Sequence, residues 1–473
     1  MDYEETIDLF QAGKLEIDCR SITLTQLAEP FEVYKGKGYI RQSDDGTLEF
    51  RVYVFETENV KPFASFNRLI GGPVGSLHTD DMYFDLVATS RDGTVWASTR
   101  VMAKFQWDMT QEVNAVGQLY SMRSQTQSQE TFTPFLELHF FDDLTVPLFQ
   151  MSEKVRFGQR YMETDKAEFE CSSCKWTVQK RDNRVIVEAE SLSGNLTPNF
   201  DLRVQEATQF LTAQPVFWRA RLAGTMPTVE FELMSPWRKP KRTQMSVPIS
   251  RATEGYFQKS WGLFCKYLDY LVANVPGTQW HPAAYHLYNA SESSGASVDA
   301  WAVGYCVCLE ALASFVPFPE DPDRSARIKG FQDKVNRWLD EQADDPDLVQ
   351  RLKGLAGGLS QDRPQDKLYA LAKSGHITEV YIKSWIKLRN KHVHPKPADL
   401  RRPDAGYMQE MFDLIHQVET LIYQIIFFLI GYEGPYTDYG SSGFPMGQYP
   451  LHLASHQTLS APEGGGDVNA QKA

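Results

Sequence analysis

The stretch Lys387-Leu388-Arg389-Asn390-Lys391-His392-Val393-His394-Pro395 closes an amphipathic run, and it decides how the second half of the chain is organised. The apolar spacing of that run predicts a helix, and Pro395 predicts where the helix stops. On a helix Asn390 and His394 share one face, whereas Arg389 lies about 140° away from His394. One helix alone therefore does not bring the arginine and the histidine together.

An Arg-Asn-x-x-x-His sequence at the end of a helix resembles the signature of the HEPN nucleases. Arg389, Asn390 and His394 have the spacing of that family, and the resemblance covers roughly residues 297–432. It implies an all-α HEPN helical bundle that pairs about a two-fold axis, so that two motifs line one cleft. A homodimer or higher homo-oligomer is therefore implied, with no cofactor and no metal.

The residue types of this motif suit RNA cleavage without a metal ion. The 2′-hydroxyl of RNA attacks the adjacent phosphodiester when a base removes its proton, an acid protonates the leaving 5′-oxygen and positive charge stabilises the phosphorane. Histidine titrates near neutral pH, and arginine carries a permanently charged fork of donors. In this hypothesis His394 is the catalytic acid-base group, Arg389 binds the scissile phosphate, and Asn390 holds the imidazole or a nearby carbonyl.

Other polar residues near the motif are candidates for supporting roles. Glu310 lies among apolar residues in a run at 298–315 that predicts a helix. An acid in that setting needs a partner such as Arg389 or a lysine, and the competing interpretation is a surface acid at the edge of a helix pair. Lys391 and His392 adjoin the motif and complete the supporting set.

A second group of basic residues lies in Trp237-Arg238-Lys239-Pro240-Lys241-Arg242. Runs of like charge are usually solvated, so an exposed hinge is favoured over a contact with nucleic acid. In the second interpretation Trp237 stacks on a base and the neighbouring cations bind the RNA backbone. The RNA-binding candidates are then Lys387, Arg238, Lys239, Lys241 and Arg242.

Length and composition describe a globular chain of two or three domains, with 473 residues of which 42% are hydrophobic and 23% charged. The net charge of −13 argues against a protein that coats nucleic acid nonspecifically, so any RNA contact is expected to be local. The amino terminus lacks a secretion signal, and the longest apolar run, Leu421 to Gly431, is too short to cross a bilayer. Six cysteines do not make a disulfide framework in so long a chain, and we expect a cytoplasmic protein.

The first half of the chain has the pattern of strands. From Lys14 to about Leu233 polar and apolar residues alternate in short runs, which favours an antiparallel sandwich or barrel-like domain. Asp44-Asp45-Gly46 and Arg91-Asp92-Gly93 predict hairpin turns. Cys171-Ser172-Ser173-Cys174 predicts a β-turn with two incidental cysteines, while a zinc clip completed by distant residues stays open.

Helical spacing dominates from Tyr256 onward, interrupted at 289–295 by residues typical of a loop. We therefore expect an α+β multidomain protein. Its parts are a β-rich, sandwich-like sensor or regulatory domain at 1–240, a helical connector at 241–296, a HEPN helical nuclease domain at 297–432 and a flexible Gly/Ser/Pro-rich tail at 433–473.

This order of domains, together with the Arg389-Asn390-x-x-x-His394 motif and the run Leu309-Glu310-Ala311-Leu312, resembles the ApeA group of bacterial abortive-infection proteins. That resemblance implies anti-phage defence, in which the N-terminal domain senses a phage protein or other component and releases RNA cleavage. tRNA anticodon loops are one implied substrate, because unpaired loops let the 2′-hydroxyl reach in-line geometry. The alternative is a catalytically silent HEPN dimerisation scaffold that carries a ligand-binding β-sandwich.

Overall fold

The structure is a computed structural model that describes residues 2–60, 77–107, 113–156, 159–236, 243–274, 280–317, 322–341, 345–358, 363–392 and 404–451. The chain divides into two compact units, which are described separately below. The β unit comprises Met1–Gln205 and Val216–Pro240, and the helical unit comprises Glu206–Pro215 and Lys241–Ala473. The fold is thus mixed α+β, with an antiparallel β-rich part followed by a helical part.

The β unit begins with helix α1 (Tyr3–Gln11) and continues in strands. The strands are β1 (Glu16–Gln26), β2 (Val33–Gln42), β3 (Leu48–Glu58), β4 (Phe84–Ser90), β5 (Val95–Trp107), β6 (Val113–Leu119), β7 (Ser121–Gln127), β8 (Phe135–Phe140), β9 (Gln150–Arg156), β10 (Gln159–Cys171), β11 (Cys174–Arg181), β12 (Arg184–Ser191), β13 (Ala220–Thr225) and β14 (Thr228–Met234).

Six of these strands close into a barrel in the order β1, β2, β3, β6, β5 and β4, because β4 pairs with both β1 and β5. The sheet then continues from β5 through β7, β14, β13, β8, β12, β11 and β10 to β9. The sandwich-like form expected from the sequence is therefore replaced by a barrel with an extended sheet. Alternation alone does not distinguish the two forms, since both bury every second residue.

Alternation along the barrel strands separates its inside from its outside. On β3 the side chains of Leu48, Phe50 and Val52 are buried in one apolar core, and the intervening residues Glu49 and Arg51 point to the other face. Burying a large apolar side chain contributes roughly 1.5–3 kcal/mol, so the inward rows of all six strands fix the register of the barrel.

The predicted turns have the conformation that their sequences require. Gly46 and Gly93 have φ of +85° and +90°, a region that residues with a Cβ rarely adopt. Asp45 accepts hydrogen bonds from Ser43 Oγ at 2.6 Å and from the backbone N–H of Thr47 at 3.0 Å. These bonds lower the pKa of Asp45 to about 2, and the bond from Ser43 contributes most to the shift. The local side-chain bonds explain why these loops were recognisable from the sequence.

Cys171 and Cys174 face each other across a two-residue turn between β10 and β11. Ser172 and Ser173 both have positive φ, at +51° and +57°, as in a tight hairpin turn. Cys174 is buried, and its burial raises the pKa of its thiol to about 11. Within the described ranges no group of three or more His, Cys, Asp or Glu residues is placed to hold a metal ion. The turn interpretation is therefore the one that fits the geometry.

One helix interrupts the strands, which the alternation of the sequence did not predict: α2 (Phe200–Thr212). Arg203, Gln205, Glu206 and Thr208 are all buried there. Because polar residues take positions that are usually apolar in a buried helix, the segment has no recognisable apolar stripe.

The helical unit contains a succession of helices, several of which begin at a capping side chain. They are α3 (Tyr256–Ala273), α4 (Pro282–Ser294), α5 (Val298–Phe315), α6 (Pro322–Glu341), α7 (Pro346–Gly357), α8 (Pro364–Lys373), α9 (Glu379–His392) and α10 (Ala405–Leu429). Ser297, Asp345 and Asp404 each cap the following helix by accepting a backbone N–H.

Residues 289–294 of the loop expected at 289–295 instead form the last part of α4, and Gly295 is its C-cap. Ser293 Oγ donates to the carbonyl of Ala290 at 2.7 Å, and Ser294 Oγ donates to that of Ser291 at 2.6 Å. Serines that bond to their own helix satisfy their hydroxyls without leaving it, so a serine-rich composition does not require a loop here.

A hairpin follows α10, formed by β15 (Gly434–Thr437) and β16 (Met446–Tyr449). Tyr436 and Tyr449 are only 3% and 2% exposed. These aromatic anchors explain why the first part of the expected flexible tail, up to residue 451, is folded. The rest of that tail, 452–473, lies outside the described residues.

Two helices in the described part of the chain have the length and apolar character of a membrane span, α5 and α10. Much of each apolar window is buried inside the protein, 44% in α5 and 67% in α10. Core helices of soluble proteins have the same properties, so these two helices are weak evidence for a membrane and are consistent with a soluble protein.

Candidate functional site

Three helices of the helical unit position the predicted motif: α9 packs on α10 and α5, and α10 packs on α5. The buried face of α9 is formed by Tyr381, Ile382, Trp385 and Leu388. This spacing is that of one helix face. Arg389, one turn after Trp385, continues this face at its half-buried end, whereas Asn390 lies on the exposed side of the helix.

The described part of the motif meets the upstream helix at Glu310. Arg389 Nε donates a hydrogen bond to Glu310 Oε1, and the pair joins α9 to α5. The two side chains are 37% and 36% exposed, so a ligand in solvent can reach them. The sequence named Arg389 as a possible partner for Glu310, and the structure brings the two together.

A cysteine lies one helical turn before Glu310. Burial raises the pKa of the Cys306 thiol to about 12, with the charge of Glu310 adding to the effect and that of Arg389 opposing it. Cys306 therefore stays a thiol at neutral pH and acts as a packing residue beneath the ion pair.

Two of the three lysines on α9, Lys387 and Lys391, contact an acid that was not identified from the sequence. Lys391 Nζ lies 2.5 Å from Glu410 Oε2, and Lys387 Nζ also bonds to the carboxylate of Glu410. Both hydrogen bonds lower the pKa of Glu410, that from Lys387 most. Lys391 Nζ also lies 5.0 Å from the centroid of the Tyr407 ring. The i,i+4 spacing of Lys387 and Lys391 puts them on one side of the helix, but it does not specify which acid they meet.

His392 points into the helix packing. Its Nδ1 lies 3.3 Å from Asp299 Oδ1, and its Nε2 lies 3.4 Å from Met411 Sδ. The side chain is 8% exposed, and burial lowers its pKa while Asp299 opposes that shift. This environment is that of a structural histidine, and it separates His392 from the exposed Arg389 and Asn390.

Five of the predicted site residues lie outside the residues that the structure describes: His394, Arg238, Lys239, Lys241 and Arg242. The structure thus describes one part of the predicted site, namely the pair of Arg389 with Glu310 and the exposed Asn390 that follows Arg389 on α9. A carboxylate that holds the guanidinium fixes its orientation and leaves its remaining N–H donors for a phosphate.

Comparisons with known proteins add no family to this description. No protein-family model matches the chain, and neither the curated proteins nor the solved structures give a match.

Proposed function

We propose that this protein is a metal-independent endoribonuclease of the HEPN type. The observation that carries the proposal is the ion pair between Arg389 and Glu310, at the end of the helix that bears the Arg-Asn-x-x-x-His motif. A guanidinium that is held by an acid, partly exposed and followed by an exposed amide at Asn390 suits a phosphate of RNA.

The proposed chemistry uses the nucleophile of the substrate. His394 takes the proton of the 2′-hydroxyl and passes it to the leaving 5′-oxygen, and Arg389 neutralises charge on the phosphorane. Asn390 orients the imidazole or a neighbouring carbonyl. The products are a 2′,3′-cyclic phosphate and a 5′-hydroxyl, so no metal ion takes part in the reaction.

In the proposal two copies of the motif line one cleft, as the family resemblance implies, and the protein is a cytoplasmic homodimer or higher homo-oligomer. Its role is abortive infection, with the β unit sensing a phage protein and RNA as the substrate, including tRNA anticodon loops. Lys387 and Lys391 contribute less to RNA binding than their charge suggests, because Glu410 neutralises part of it.

Conditional expression in cells that are then infected with phage, so that the proposed trigger is present, followed by sequencing of RNA ends, tests this proposal. The wild type is compared with Arg389→Ala and His394→Ala, and with Lys383→Ala as the matched control. Lys383 lies on the same helix, 63% exposed, in a surface pair with Glu379. We expect growth arrest and new 5′-hydroxyl ends in the wild type and the control, and neither in the two motif variants.

Two outcomes would contradict the proposal. Cleavage that leaves 5′-phosphate ends, or that stops when EDTA is added, is incompatible with attack by the 2′-hydroxyl. Equal toxicity in all four proteins would favour the silent scaffold with a ligand-binding β domain. Isolated residues 1–240 would then retain the biological activity.

A further inference from the structure

The outside of the barrel carries an open depression of about 670 Å³. It lies on the neighbouring strands β2, β3, β6 and β5, all of which belong to the β unit. Four of the five charged residues in its lining are basic, in a chain whose net charge is −13. The charged side chains in the lining are Arg41, Arg51, Arg100, Lys104 and the acid Glu49.

The pairing register arranges the outward side chains of these strands in rows. The first row consists of Tyr39, Arg51, Val116 and Lys104. The second row consists of Arg41, Glu49, Gln118 and Met102. Neighbouring strands lie about 4.8 Å apart and successive outward residues about 6.7 Å apart, so the rows form a continuous face about 14 Å wide.

Aromatic rings accompany the cations on this face. Tyr120 lines the depression with 55% of its surface exposed, and Tyr53, at 50%, continues the face on β3 beside Arg51. The guanidinium of Arg41 lies 5.4 Å from the centroid of the Tyr39 ring. A planar ring next to a cation suits a nucleic-acid base beside its phosphate.

Close backbone contacts fix the curvature of the strands beneath the face. A Cβ added to Gly38 would lie 1.8 Å from the carbonyl oxygen of Arg51, and one added to Gly117 would lie 2.4 Å from that of Met102. No side chain fits at either position, and the backbones approach more closely than other residues allow. The depression is therefore a property of the folded barrel.

We infer that this face binds a single-stranded polynucleotide, with bases on Tyr39 and Tyr120 and phosphates on Arg41, Arg51 and Lys104. A duplex satisfies only the cations, because its bases are stacked inside and cannot reach the rings. An acidic polypeptide likewise satisfies only the cations, because it has no bases to stack on the rings. The inference goes beyond the proposed nuclease, because binding at the barrel requires no cleavage.

Fluorescence anisotropy with the full-length protein tests the inference. The His394→Ala background prevents consumption of the probe, and the probes are labelled single-stranded RNA, single-stranded DNA of the same sequence and the corresponding duplex. Arg51→Ala with Lys104→Ala should weaken binding of both single strands at least tenfold. Removing two phosphate contacts should also reduce the slope of log K against log salt by about 1.4, at about 0.7 for each contact.

Tyr120→Ala separates stacking from charge. Loss of a stacked base should weaken single-strand binding by roughly fivefold or more and leave the salt slope unchanged. Arg160→Ala with Lys175→Ala is the matched control, since both residues are exposed on β10 and β11, outside the barrel. We expect the control to bind like the parent protein, and thermal unfolding should show that every variant is folded.

The inference is overturned if the Arg51 and Lys104 variant binds single strands with the parent affinity and salt slope. It is also overturned if duplex binds as tightly as single strands, or if polyglutamate binds this face while single strands do not. RNA cleavage is a separate readout. A protein that cuts no RNA in cells but binds oligonucleotides through Arg51 and Lys104 would remove the nuclease proposal and leave this inference intact.

Discussion

Replacing Glu310 by glutamine tests whether its pair with Arg389 serves function or stability. Both side chains are more than one third exposed, so solvent screens the pair. Exposed ion pairs contribute about 0.2–1 kcal/mol to folding. In a unit of this size 1 kcal/mol corresponds to about 2–4 °C in Tm, so we expect Glu310→Gln to lower Tm by at most about 4 °C.

The effect on RNA cleavage should be larger. Without the carboxylate the guanidinium of Arg389 is no longer held for the phosphate, and a tenfold loss of rate corresponds to about 1.4 kcal/mol of transition-state stabilisation. We expect at least that loss in the purified protein, measured on a labelled single-stranded RNA. Glu379→Gln is the control, because it removes the acid of a more exposed pair on the same helix.

A double-mutant cycle decides how Glu310 acts. If it acts by positioning Arg389, then Glu310→Gln should cause no further loss in the Arg389→Ala background. Equal losses in both backgrounds would mean that Glu310 acts independently of Arg389. A fall in Tm of more than 10 °C, far above the value for a screened pair, would mean that the pair is structural.

Three further predictions concern stability. Burial raises the pKa of Glu419 from 4.5 to about 8, so the stability that protonated Glu419 contributes is complete below pH 4.5 and is lost as pH rises towards 8, by up to about 1.4 kcal/mol per pH unit. The free energy of urea unfolding of Glu419→Gln should lack this pH dependence, and parallel plots of that free energy against pH for the two proteins would contradict the prediction. Gly46→Ala should lower the free energy of unfolding by about 1–2 kcal/mol, because Gly46 has φ of +85°. The control Gly330→Ala, in an exposed helix with open space around the added Cβ, should be neutral or stabilising, and equal effects of the two substitutions on the urea midpoint would refute the strain argument. Tyr436→Phe removes the hydroxyl that accepts a hydrogen bond from Gln424 Nε2 at 3.1 Å, so it should lower the free energy of urea unfolding by about 1 kcal/mol. Phe444→Leu, at an exposed position, is the control, and an unchanged urea midpoint for Tyr436→Phe would mean that this hydrogen bond contributes nothing to stability.

Local features were predictable from the sequence where one short segment carries the whole signal. The turns at Gly46 and Gly93 each depend on bonds within five residues, and the structure confirms them. The helix at 298–315 was predictable because apolar residues predominate along its whole length.

Long-range features were not predictable for a physical reason. Closure of the barrel depends on β4 pairing with β5 as well as β1, and alternation within a strand does not specify its neighbours. In the candidate site, Glu410 lies on α10, the helix that follows the motif in sequence. It contacts Lys387 and Lys391 only because α10 packs against α9 in the folded protein. The pair of Arg389 with Glu310 was foreseeable, because a half-buried acid requires a cation nearby.

The hairpin after α10 has a practical consequence for work with shortened or tagged forms of the chain. Tyr381, in the first turn of α9, donates its hydroxyl hydrogen to Asp438, and Gln424 bridges Thr378 to Tyr436. A stop codon placed after the last long helix would therefore remove the support for the start of α9, fourteen residues that end beside the proposed site. Expression designs should keep the chain through Tyr449 and attach any affinity tag beyond it.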